Sequence, residues 1–295
     1  MDVTKAFPGY TTIKNRRCKQ ELILNAIVSI TSHKGGVGKT TTTLNLGVSL
    51  AQAGYKVLLL DGDPQGCLST SVGMKKKSEA GLYQVLHKKA RQQDVIIKAR
   101  HLPLSMVHLG IHSPQEVFNL SHGSETRRLK KLSRLTRSLT RDFDITLIDV
   151  ANNIGPLNVV LLGCSDSVII PVTCKNNSVR SLPLLLQLLA RIRDRMNANS
   201  SILGLVLTMF DVNNPYEFEV LTTLREVFPK RAFFSTFIPM TRLIEKAETT
   251  ESPVSFLTDA KELKETYDRL SFEILQRLEY KIKGEGNDRH SEKLF

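Results

Sequence analysis

The stretch Ser32-His-Lys-Gly-Gly-Val-Gly-Lys-Thr-Thr-Thr-Thr43 constrains this chain more than any other. An apolar run, Ala26 to Ile30, leads into it, and a helix-like segment, Thr41 to Gln52, leaves it. A strand feeding a glycine-rich turn that opens a helix has a specific physical use. Successive backbone N–H groups converge, and the helix terminus adds partial positive charge, so the turn can cradle phosphates. Gly35, Gly36 and Gly38, around Val37, let the backbone wrap closely because a Cβ would obstruct it. Lys39 is spaced to reach β- and γ-phosphates, and the Thr40 hydroxyl to ligate Mg²⁺. Two features are unusual. His33 stands where the ordinary motif begins with glycine, and a second lysine, Lys34, precedes the glycine pair.

From Ala26 onward, apolar runs of strand length alternate with helical patterns. The runs are Ala26–Ile30, Lys56–Leu60, Met106–Leu109, Ile145–Ile148, Ser167–Val172, Ile202–Met209 and Ala232–Phe237. Runs apolar on both faces and separated by helices predict an α/β fold, a doubly wound and mostly parallel sheet with helices on both faces. One domain over residues 25–283 accounts for 295 residues that are 41% hydrophobic. A basic, flexible arm is expected over 1–24 and a charged, disordered tail over 284–295. No apolar run nears the ~20 residues of a membrane span, and the first residues lack the apolar core of a signal peptide. Cys18, Cys67, Cys164 and Cys174 are scattered without C-x-x-C spacing, as expected of free thiols in the cytoplasm. The formal charge of +12 favours a polyanionic partner, nucleic acid or an anionic surface.

Three aspartates fall where strands end. Asp61 and Asp63 follow the second run, and Asp149 closes Asp144-Ile-Thr-Leu-Ile-Asp149. In a doubly wound sheet ligands bind beyond the carboxyl ends of the strands. Carboxylates there can hold metal-bound water or orient the water that attacks a γ-phosphate.

The loop K-G-G-V-G-K-T-T, the box Asp61-Gly-Asp-Pro-Gln-Gly66 and the strand ending at Asp149 resemble the ParA/MinD family of P-loop NTPases with a deviant Walker A loop, the ParA/Soj-like partitioning ATPases in particular. Ser167-Val-Ile-Ile-Pro-Val172, Thr208-Met-Phe-Asp211 and Ile238-Pro-Met-Thr-Arg-Leu-Ile-Glu-Lys-Ala247 resemble further boxes in the same order. The resemblance implies ATP bound with Mg²⁺ by residues 34–41, with Met209 and Pro239 near the base. It implies Asp61 and Asp149 beside Thr40 at the metal, and Lys34 reaching across an ATP-dependent homodimer to the partner's phosphates. Asp63 would position the hydrolytic water, and Arg242 would contact DNA non-specifically. It implies a slow ATPase stimulated by a ParB-like protein, cytoplasmic and nucleoid-associated, that positions plasmid, chromosome or another cargo.

The chain departs from that pattern in places. Val150-Ala-Asn-Asn-Ile-Gly155 replaces the family's Thr-Pro-Pro-Ser-Leu-Gly, which bears on hydrolysis and its triggering rather than on binding. Cys67 replaces an asparagine, and Val212 and Asn213 stand where some members carry a DNA-contacting arginine. Two basic stretches, Lys75–Lys77 and the helical run from Arg127 to Arg141 with leucines at three- and four-residue spacing, read as a solvated face or a nucleic-acid surface. Rival functions are an ATP-binding switch with very weak hydrolysis, a MinD-like membrane-associated ATPase and a NifH-like iron–sulfur reductase. The second needs an amphipathic C-terminal helix, and the tail is too polar for one. The third needs paired cysteines, and Cys164 has no convincing second ligand.

Overall fold

The computed structural model describes residues 24–71, 80–121, 125–153 and 155–284. The expected N-terminal arm, apart from Leu24, the tail beyond Gly284 and the Lys75–Lys77 stretch lie outside the described residues.

Seven strands form one sheet: β1 (Ala26–Ile30), β2 (Val57–Asp61), β3 (Ile97–Lys98), β4 (Leu104–His108), β5 (Ile145–Asp149), β6 (Ser167–Val172) and β7 (Ser201–Leu207). Their order is β3-β4-β2-β5-β1-β6-β7, and only the pair β3–β4 is antiparallel. Residues of β1, β2, β5 and β6 are buried throughout, as the uninterrupted apolar runs require of strands covered on both sides. The strand period of two divides them between two core layers. Ile27, Leu58 and Leu60 face one layer, whereas Ala26, Val28, Ile30, Val57 and Leu59 face the other.

The first layer is covered by α3 (Leu82–Leu86), α5 (Glu125–Thr140), α6 (Pro156–Gly163), α7 (Asn176–Arg195) and α8 (Pro215–Val227). On α5 Leu132, Leu135 and Leu139 are buried while Lys130, Lys131, Arg134 and Arg137 are exposed. The second layer lies under α1 (Lys39–Gln52), α9 (Arg242–Thr249) and α10 (Lys261–Gly284). Two short helices, α2 (Cys67–Thr70) and α4 (Pro114–Ser121), complete the chain order. Helix α1 lies so close to β2 that a Cβ added at Gly47 would stand 2.5 Å from Leu59.

One expected strand is not a strand. Lys230–Ala232 is a 3₁₀ turn, and the residues after it run beside β7 through the isolated bridges Leu205↔Phe233 and Phe210↔Pro239. The segment does bond to β7, with the Phe234 amide donating to Leu205 O at 2.9 Å and the Ile238 amide to Leu207 O at 2.8 Å. Side chains of α10 take other backbone groups that a strand ladder would have used. Glu273 accepts from the amides of Ser235 at 2.7 Å and Thr236 at 3.1 Å. Arg277 donates to the carbonyls of Leu203, Arg231 and Phe233, pairs with Glu273 at 3.1 Å and lies 4.1 Å over the Phe234 ring. Arg277→Ala leaves those carbonyls and the Glu273 carboxylate short of a donor. We expect a loss of about 2–4 kcal/mol, read from chemical denaturation with an unchanged m-value.

Candidate functional site

The carboxyl ends of β1, β2 and β5 meet, because Asp149 is in register with both Ile30 and Asp61. The glycine loop crosses directly above. Gly36 and Gly38 have φ of 69° and 78°, the left-handed region that side chains with a Cβ rarely adopt, and Gly38 caps α1. The loop is tied to the sheet from a distance: Thr208, just past β7, donates its hydroxyl to Val37 O at 2.9 Å.

Two sequence-predicted residues meet directly. The Thr40 hydroxyl donates to Asp149 Oδ2 at 2.6 Å, and Asp149 Oδ1 is buried with no partner. Burial raises the Asp149 carboxyl to about 7, against the Thr40 bond that lowers it. A buried carboxylate oxygen without a donor, beside a hydroxyl at a helix N-terminus, fits a hard cation with oxygen ligands such as Mg²⁺. Asp61 is also buried, and burial raises its pKa. Its Oδ2 accepts from the Ser69 amide at 2.9 Å and hydroxyl at 2.8 Å, and its Oδ1 from the Asp63 amide at 3.3 Å. Asp61 therefore orders the loop after β2, while Asp149 keeps an oxygen to offer.

The Lys39 ammonium donates to Lys34 O at 3.3 Å. Burial lowers its pKa, while Asp149, Asp63 and Cys67 pull the other way. Asp63 sits half-exposed at the mouth, its Oδ1 accepting from the Gln65 amide at 2.9 Å. Gly35 and Gly36 are exposed, and the Asn152 amide nitrogen stands 3.0 Å from where a Cβ on Gly35 would be. Asn152 belongs to the segment that replaces the proline pair. That segment is held by a residue the sequence reading missed: the buried Asn158 Nδ2 donates to Ala151 O at 2.9 Å and to Asn153 O at 2.6 Å.

At the loop's other end Met209 has a positive φ of 53°. Its methyl group lies 3.7 Å from a Cβ built on Gly38. The bridge Phe210↔Pro239 and the bond from the Met240 amide to Phe210 O at 3.1 Å bring Pro239 alongside. Arg242 is separate from this cluster, exposed as the first residue of α9 behind the Thr241 cap. The far end of α9 returns to the loop, where Glu248 accepts from the Thr41 hydroxyl at 3.2 Å. Cys164 is buried against Ser133, its sulfur 3.3 Å from the Ser133 hydroxyl.

A family model described as an AAA domain matches residues 25–202. The sporulation initiation inhibitor protein Soj of Bacillus subtilis is 31% identical over 232 residues, 78% of this chain and 90% of that protein. The chromosome partitioning protein ParA of Caulobacter vibrioides is 30% identical over 255 residues, 85% of this chain and 94% of that protein. Among solved structures, the septum site-determining protein MinD of Pyrococcus horikoshii, complexed with Mg-ADP, superposes with a TM-score of 0.69 at 21% identity, covering 87% of this chain and 98% of that one. The glycine loop with its second lysine, the Thr40–Asp149 pair, the sheet order and these similarities agree, and the chain belongs to the ParA/Soj group of the ParA/MinD ATPase family.

Proposed function

We propose that this chain is an ATP-dependent switch that dimerises on ATP, binds DNA non-specifically and serves in the segregation or positioning of DNA or another cargo. The observation that carries the nucleotide reading is Asp149 Oδ1, buried and unpartnered beside the Thr40 hydroxyl under the glycine loop. The MinD relative holds Mg-ADP on the same fold. The backbone amides of residues 35–40 bind the phosphates, and Lys39 neutralises them from within the loop. Thr40 and Asp149 are the residues that would hold Mg²⁺, with Asp61 supporting from β2. A bound Mg²⁺ would supply positive charge against the phosphates. Asp63, at the open mouth, orients the attacking water, and Lys34 acts across the dimer on the partner's nucleotide. Met209 and Pro239 contact the base.

The DNA reading rests on the net charge of +12, on the exposed Arg242 and on membership beside ParA and Soj. A ParB-like protein is the expected stimulator, and the nucleoid the expected location. The test measures DNA binding with ATP, with ADP and without nucleotide across a salt series, for the wild type, Arg242→Ala and Lys34→Ala. Binding that needs ATP, falls steeply with salt and drops in both variants is the expected result. No helix among the described residues is long and apolar enough to cross a membrane. ATP-dependent binding to anionic vesicles with DNA ignored would replace the DNA reading with a membrane one.

A further inference from the structure

Thr40 and Thr41 are adjacent, yet their hydroxyls serve opposite ends of the loop. Thr40 donates to Asp149 on β5, and Thr41 donates to Glu248 on α9, 207 residues away. The Asp149 end gathers Lys39, Asp61 and Asp63, the groups suited to the terminal phosphates and the metal. The Glu248 end is different in kind. Beside Thr41 a small hollow is lined by Thr42, Met209, Ile238, Ile244 and Tyr267. The Tyr267 hydroxyl is buried there without a partner, and Glu248 is near enough to add to the rise that burial imposes on its pKa.

A carboxylate in that position needs an explanation, because an anion at a phosphate site repels the ligand. An ionised carboxylate only accepts hydrogen bonds. Thr41 lies in the first turn of α1, one residue past Thr40; with the terminal phosphates at the Asp149 end, the α-phosphate would fall beside Thr41, and what is joined to the α-phosphate is the ribose. The ribose hydroxyls are the donors that a nucleotide offers at that distance from its phosphates. Dinucleotide sites on related sheet architectures use an acidic side chain in the same chemical role.

We propose that Glu248 reads the ribose of the bound nucleotide by accepting from its 2′- or 3′-hydroxyl, making the site selective for ribonucleotides over their deoxy counterparts. The inference rests on the nucleotide reading above and adds a residue that no motif of the chain announces. Glu248 is exposed, and its side chain meets the loop at its tip through the Thr41 hydroxyl, so its replacement leaves the fold intact.

The test is calorimetric binding of ATP, 2′-deoxy-ATP and 3′-deoxy-ATP, each with Mg²⁺, to wild type, Glu248→Ala and Glu248→Gln. The expected result is that the wild type prefers ATP over one deoxy analogue by about tenfold or more, the scale of a hydrogen bond to a charged acceptor. The analogue that loses affinity identifies the hydroxyl. In Glu248→Ala that preference should fall to near one through weaker ATP binding, with affinity for the disfavoured analogue unchanged. Glu248→Gln, which still offers an oxygen, should fall between. Equal affinities of the wild type for all three nucleotides would overturn the proposal. So would a preference that survives in Glu248→Ala, or a variant that binds all three more tightly by one common factor. A wild type that binds no nucleotide at all would instead refute the nucleotide site itself, whatever Glu248 does.

Discussion

Asp149→Asn is expected to leave the protein folded and to remove its use of Mg²⁺. The variant keeps the size of the side chain and an oxygen to accept from Thr40, which now donates at 2.6 Å. Burial raises the carboxyl to about 7, so the fold resists its ionised form when no cation faces it. A neutral isostere removes the cost of the buried charge but leaves its Nδ2 short of an acceptor, so the nucleotide-free stability should stay within about 1–3 kcal/mol of the wild type. With Mg²⁺ and ATP the two diverge. The wild type gains melting temperature by mass action, and more with Mg²⁺ than with a chelator. The variant should gain equally little in both. Turnover should fall about 10²–10⁴-fold, since a metal that neutralises transferring phosphates contributes several kcal/mol to the barrier. Melting curves with ATP in Mg²⁺ or chelator, and phosphate release under the same conditions, provide the check. A variant stabilised by Mg-ATP as much as the wild type would remove Asp149 from the metal site and leave its unpartnered oxygen without a role.

The phosphate loop and the carboxylates above the sheet were legible in sequence because each lies in one contiguous stretch whose spacing is dictated locally. The bounds of β1 and β6 could be read to the residue for a related reason, since both are apolar on both faces and end at a change of composition. Three features resisted reading, one because it is too short and two because the deciding group lies elsewhere in the chain. The edge strand β3 has only Ile97 and Lys98, too few for any period to show. The run Ala232–Phe237 carries a strand's composition, but Glu273 and Arg277 take some of its backbone partners, and nothing local to 232–237 reports them. Thr208 and Glu248 reach the loop across 171 and 207 residues. Asn158 alone left a trace, as an amide in the otherwise apolar Leu157-Asn-Val-Val-Leu-Leu162, where an unpartnered polar group would be costly.

Asp63→Asn is expected to separate holding ATP from hydrolysing it. Asp63 is half-exposed, and its Oδ1 accepts from the Gln65 amide at 2.9 Å, a bond that an asparagine oxygen can also accept. The turn after β2 and the Ser69 bonds to Asp61 therefore survive, and ATP affinity should stay within a few-fold of the wild type. What is lost is a charged acceptor at the mouth able to orient water, a contribution of about 10²–10⁴ in rate. Phosphate release should fall toward background, while binding to DNA with ATP should persist where the wild type's decays as nucleotide is spent. The same comparison decides between the switch and its rival. Where the family's proline pair would stand, this chain has a segment tied down by Asn158, with Asn152 against Gly35. If that arrangement holds ATP without promoting water attack, wild type and Asp63→Asn will release phosphate at one low rate, with or without DNA. The protein then acts as an ATP-binding module, and nucleotide exchange rather than hydrolysis resets it. If the wild type turns over and the variant does not, the Asn158-held segment is a working substitute for the proline pair, and Asp63 is the group through which hydrolysis ends the bound state.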